Sequence, residues 1–150
     1  MKRNSRGFTL VEILIVVIIL GILAAIVIPQ FTNASTSAKN SSVASTLQTI
    51  RSQIELFKIQ HSDIPPQTTG MAAWGNMTSK STTTETTVAA PSGTAFGPYF
   101  QQAPANPLNG LTGISTAAAA DTTNGWYYTA TTTSYTIQAR NIDGTVNSTY

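Results

Sequence analysis

Few side chains in this sequence are placed to carry out a reaction. His61 is the lone histidine among 150 residues, at the end of a helical pattern, where an exposed or helix-capping imidazole is expected. Cysteine is absent, so no thiolate nucleophile, thiolate metal site or disulfide is available. Serine and threonine abound without a base partner, which reads as a solvated surface. No acid pair, glycine-rich phosphate loop or metal-ligand spacing occurs. No enzyme activity, cofactor or metal is therefore expected. The sequons at Asn33, Asn40, Asn76 and Asn147 are what chance provides in so Ser/Thr-rich a chain. The charge that demands an account is Glu12. It sits at the head of a run that has no charged or polar side chain from Ile13 to Ile28. Placing a carboxylate in such a segment costs roughly 2.5–3.5 kcal/mol on insertion scales.

The element that holds Glu12 is long. Residues 8–28 would make a helix of about 31 Å at about 1.5 Å per residue, close to the ~30 Å hydrocarbon thickness of a bilayer. Lys2, Arg3 and Arg6 precede it. They should stay cytoplasmic, which places everything after Pro29 across the membrane. A cleaved secretory signal is the less favoured reading, because the run is long, carries an acid and lacks a small-x-small site just beyond it. A plain signal anchor is another alternative. The periodicity then continues through Phe31, Ala34 and Ala38. Val43, Leu47, Ile50, Ile54 and Phe57 form a narrow apolar stripe at intervals of four and three. Asp63-Ile64-Pro65-Pro66 ends it, since prolines cannot continue a helix.

Beyond the helix, residues 67–97 are a Thr/Ser/Gly/Ala mixture with weak periodicity, read as a short helix around 71–76 and then a loop. Gly125–Ala130 and Ser134–Arg140 are β-rich runs separated by three threonines, which predicts a hairpin. The fold class is α+β: a long N-terminal helix with a small antiparallel β-sheet packed on its C-terminal half, burying Leu47, Ile50, Ile54 and Phe57. The pI is about 9.1, yet three of the basic residues precede Gly7. The remainder has five basic residues against six acids, a formal charge of −1. No nucleic-acid partner is expected.

A short basic leader, then Gly7-Phe8-Thr9-Leu10-Val11-Glu12, then an apolar stretch ending at Pro29, resembles the N-terminus of type IV pilins and type II secretion pseudopilins. The resemblance implies cleavage between Gly7 and Phe8 by a prepilin peptidase and methylation of the new amino group of Phe8. It implies subunits that wait in the membrane and then join a helical homo-oligomeric filament. Glu12 would attract the amine of Phe8 on a neighbouring subunit. Gly21 and Pro29 would bound the weakest stretch of the helix, able to unwind as helices crowd together. The organisation that follows is a leader (1–7), a transmembrane and filament-core helix (8–29), an amphipathic helix (30–61) and a periplasmic globular part (62–150). The chain would be a single-pass inner-membrane protein with a cytoplasmic N-terminus.

Downstream, Ile64–Trp74 is similar to the Tyr-Pro-Thr-x-x-x-Gly-Leu-x-Ala-Leu pattern of major secretion pseudopilins, matching at Pro65, Gly70 and Ala73. The segment 97–110 resembles their Gly-Tyr…Pro-x-Asp-Pro, with Asn106 for the acid. Tyr135, Ile137, Asp143 and Gly144 match their C-terminal pattern. This resemblance favours a major pseudopilin, with membrane lipid, minor pseudopilins, an inner-membrane assembly platform and the prepilin peptidase as its implied partners. A surface type IV pilin is the alternative, and a membrane-tethered binding module a more distant one. The family's calcium loop uses several acids near the C-terminus; only Asp143 stands there in this chain, so no metal is expected.

Overall fold

The computed structural model describes residues 7–71, 74–82 and 95–149. Helix α1 runs Leu10–Gln60, and the chain divides into two compact units after Ala38.

In the first unit every described side chain is exposed. The apolar residues that fill 10–31, from Leu10 at 82% to Phe31 at 77%, have no partner surface within the unit. A side chain left in water gains nothing from being apolar, so this surface is built for another environment. The helix continues through Pro29. One turn on, the Thr32 hydroxyl donates to the Ile28 carbonyl at 3.1 Å.

The second unit begins within α1. Val43, Leu47, Ile50, Ile54 and Phe57 are buried, so the stripe read from the sequence is the face that meets the rest of the fold. The helix ends in a left-handed exit: Ser62 and Asp63 have φ of 57° and 65°, and the Lys58 carbonyl accepts the His61 and Asp63 N–H groups. Lys58 also pairs with Glu55 at 3.1 Å. Beyond it lie two single turns, α2 (Thr68–Met71) and α3 (Gly75–Thr78). The single helix expected around 71–76 is thus not what forms. Trp74 sits at φ 63°, which no helix interior tolerates, and its indole is buried.

Strands β1 (Ile114–Ser115), β2 (Trp126–Ala130) and β3 (Tyr135–Ala139) form one sheet in that order. The expected hairpin is β2–β3, antiparallel, with Trp126 opposite Ala139 and Ala130 opposite Tyr135. The sheet itself is mixed rather than antiparallel, because β1 pairs with β2 in parallel. The Gly113 carbonyl starts that pairing by accepting N–H groups from Gly125 and Trp126. A two-residue strand carries no alternation, so nothing in its sequence announced it.

Alternation along the hairpin turns Trp126 and Tyr128, with Ile137 and Ala139, into the core beside the α1 stripe, Met71, Trp74 and Met77. Trp74 meets Trp126 edge to face at 6.3 Å. Each large polar ring satisfies its heteroatom on a loop carbonyl: Trp74 on Thr112, Trp126 on Pro104 and Tyr128 on Pro66. Residues 83–94, most of the Thr/Ser-rich loop, lie outside the described residues.

Candidate functional site

The residues expected to act lie at and along the start of α1. Gly7 and Phe8 precede the helix, and both are exposed. A Cβ on Gly7 would meet nothing within 4 Å, and its φ is not positive. Among the described residues, neither packing nor backbone geometry therefore requires glycine at 7.

Thr9 and Glu12 are tied to each other. The Thr9 backbone N–H and hydroxyl each donate to Glu12 Oε2 at 2.8 Å, and the Glu12 N–H donates to the Thr9 hydroxyl oxygen at 3.3 Å. This is a capping box, in which the residue before the helix and the one three positions into the first turn satisfy each other's unpaired backbone donors. A carboxylate at a helix N-terminus is also favoured by the helix dipole. Its signal in the sequence is Thr-x-x-Glu opening an apolar run. Gly21, whose added Cβ would also touch nothing, and Pro29 lie farther along α1. The structure brings Phe8, Thr9 and Glu12 together in one turn; it does not gather Gly21 or Pro29 with them.

The family model described as the prokaryotic N-terminal methylation motif matches residues 2–28, covering Gly7, Phe8, Thr9, Glu12 and Gly21. The chain is 36% identical over 73 residues to the type II secretion system core protein G of Dickeya chrysanthemi, covering 49% of this chain and 48% of that one. Over about half its length the chain is similar to type II secretion pseudopilins, and over a shorter stretch to a type IV pilin. A second core protein G, from Pseudomonas aeruginosa, is 36% identical over 72 residues, covering 48% of this pilin-like chain and 51% of the relative. The type IV major fimbrial protein FimA of Dichelobacter nodosus is 49% identical over 55 residues, covering 37% and 35%. The pilin-like chain spans about half the length of the first curated relatives it matches. No solved structure matches it significantly.

A polar cluster in the second unit was not foreseen. Arg140, the residue after β3, is fully buried. Its guanidinium donates to the carbonyls of Ala119 at 2.9 Å and Gly144 at 2.6 Å and to that of Ala117, and it lies 5.9 Å from the Tyr127 ring. Asn106 is buried beside it. Its amide nitrogen donates to the carbonyls of Gly125 at 2.6 Å and Arg140 at 2.8 Å, while its oxygen accepts the Leu108 N–H. Asp121 accepts the Thr123 hydroxyl and N–H and the Asn124 amide. These bonds hold its carboxyl well below the usual range, with the Thr123 hydroxyl the largest cause. Asp143 is lowered likewise, first by the Thr145 hydroxyl.

His61 corrects the expectation of an exposed side chain. It is 3% exposed, stacked flat on Phe57 at 3.7 Å. Its Nδ1 lies 2.8 Å from the Phe57 carbonyl and its Nε2 2.9 Å from the Ser81 hydroxyl. A carbonyl only accepts, so Nδ1 donates. The capping half of the expectation holds: the imidazole satisfies one of the last carbonyls of α1.

Proposed function

We propose that this chain is a structural subunit of a type II secretion pseudopilus, which polymerises from the inner membrane to help export folded proteins. The observation that carries the reading is the methylation motif joined to a helix whose whole apolar surface, from Leu10 to Phe31, is unpartnered. Such a helix needs lipid first and other copies of itself afterwards. Relatives named as type II secretion system core protein G support the pseudopilus over other uses of the motif.

On this reading residues 1–7 form a leader removed by a prepilin peptidase, and Phe8 becomes a methylated N-terminus. Gly7, which the fold itself does not require, serves the peptidase. Residues 8–29 span the membrane and later pack in the filament core, 30–61 continue as the amphipathic helix, and 62–150 lie in the periplasm. Lys2, Arg3 and Arg6 hold the N-terminus on the cytoplasmic side. Glu12 waits in the bilayer on its own Thr9 donors and, on docking, draws the Phe8 amine of a neighbour. A misplaced neighbour leaves a charge unpaired, so the pairing checks register. Gly21 and Pro29 give the helix the stretch that yields when neighbours crowd in. The minor pseudopilins, the assembly platform and the prepilin peptidase are its partners. Catalysis has no place in this role.

The second reading is a type IV pilin of a surface fibre, favoured by the 49% identity to a fimbrial protein over 55 residues. Deleting the chain in its host separates the two. The pseudopilus reading expects folded exoproteins to accumulate in the periplasm while surface fibres persist. Loss of fibres with export intact would replace it by the second.

A further inference from the structure

The resemblance to major pseudopilins brings with it a calcium ion in the loops that close the C-terminal part of the chain. The donors here do not fit that ion. Calcium takes about six to eight oxygen ligands, carboxylates prominent among them. Among the described residues, no group of three or more His, Cys, Asp or Glu side chains could hold a metal. The two acids of these loops are engaged in their own turns, Asp121 with Thr123 and Asn124 and Asp143 with Thr145. The backbone carbonyls that do converge, those of Ala117, Ala119 and Gly144, converge on a guanidinium.

We infer that the Arg140 guanidinium does in this chain the tying that calcium does in such loops, and that the loops bind no calcium. A cation attracts carbonyl dipoles whether it is a metal or a side chain. The planar fork of arginine offers five N–H donors, enough to reach carbonyls from two directions at once. One direction is the loop at 117–119 and the other the turn at Gly144. Asn106 completes the exchange. Its NH2 donates to the carbonyl of Arg140 itself and to that of Gly125, fixing the backbone from which the guanidinium reaches. A calcium ligand must present oxygen lone pairs; the Asn106 amide and the Arg140 guanidinium present hydrogens to the carbonyls around them. The cation is covalently attached at the end of β3, so it loses no freedom of association on folding and no chelator removes it.

The inference takes from the pseudopilin reading only the expectation of a calcium loop. Its test uses purified full-length chain in detergent micelles, so its failure is separate from any failure in secretion or filament assays. Melting is followed by the fluorescence of Trp74 and Trp126, with chelator or with millimolar calcium. Wild type is expected to melt within about 1 °C in the two conditions, since a ligand that binds the native state must raise the melting temperature. A rise of several degrees with calcium overturns the inference, and this comparison needs no variant. Arg140→Met keeps the apolar stem but removes the charge and the donors. It is expected to melt roughly 5–10 °C lower in either condition, because the part-buried carbonyls of Ala117 and Ala119 lose their charged donor and the buried Gly144 carbonyl is left with the Asp121 N–H. An Arg140→Met chain that melts with wild type overturns the tying role.

Discussion

Thr9 and Glu12 close the N-terminus of α1 on each other, two donors from Thr9 meeting one carboxylate oxygen at 2.8 Å and the Glu12 N–H returning to the Thr9 hydroxyl. The acid in an apolar run thus has a partner within its own first turn. Within this chain the carboxylate is satisfied by Thr9; on the proposed reading, what assembly would add is a cation from another copy.

Two substitutions separate these roles. In Glu12→Gln the amide oxygen still accepts from Thr9, so the helix start should survive, and membrane insertion and cleavage with it. Filament formation should fall sharply, because losing one partner of a buried charge pair costs roughly 3–5 kcal/mol at each subunit added. Thr9→Ala removes the cap at a cost of about 1 kcal/mol and should speed amide exchange at 10–13 while leaving the charge in place. The measurements are the ratio of sheared filament to membrane-bound mature subunit, and hydrogen exchange in micelles. Glu12→Gln filaments as abundant as wild type would leave the carboxylate with the capping role alone.

Gly7→Leu should block processing. Nothing among the described residues opposes a side chain at that position, so the variant should insert and fold as wild type does. Mass spectrometry should find its leader intact, against a methylated Phe8 terminus in wild type. A wild-type chain whose N-terminus is still unprocessed would end the pilin reading.

Asn106→Asp is close to isosteric but reverses the polarity that the cluster needs. A carboxylate oxygen would face the carbonyls of Gly125 and Arg140, which now receive N–H donors. Denaturant unfolding in micelles should show a loss of roughly 3 kcal/mol or more at neutral pH. The acid would be protonated more readily in the folded state than in the unfolded one. Its deficit should therefore shrink as pH falls from neutral toward about 4, through the raised folded value at which the protonated acid donates again, and level off below that. A deficit independent of pH would point to packing rather than polarity.

Asp121 and Asp143 both have folded-state affinities for protons lowered by their Thr and Asn donors. A lowered carboxyl contributes stability that is present above its unfolded value, about 4. That stability is lost as pH falls through the folded value. The melting temperature should therefore decline as pH is taken from 5 toward 2 (an order-of-magnitude window). Asp121→Ala should lower it at neutral pH and flatten the acid limb. An acid limb as steep in the variant as in wild type would assign the dependence elsewhere.

The elements written in the sequence are those whose signal is local and periodic. The apolar run with its acid is legible from its unbroken length, while the stripe from Val43 to Phe57 and the β2–β3 hairpin repeat at 3.6 or 2 residues because one face is buried and the other is not. Each was legible before any coordinates. The Thr9–Glu12 cap was local too, and readable from its spacing. Tertiary structure alone decided the rest. β1 pairs in parallel because the loop after it returns Trp126 to the Gly113 carbonyl, a contact that two residues cannot advertise. His61 is buried because Ser81, twenty residues on, supplies its second partner. Trp74 leaves the helical region and buries its indole against Trp126. Arg140 and Asn106 are, in sequence, a surface-type cation and a turn residue. They become the polar centre of the fold because carbonyls from segments 19 to 34 residues apart point at them. A carbonyl belongs to every residue alike, so composition and periodicity carry no record of where one will point; only the folded backbone sets that direction.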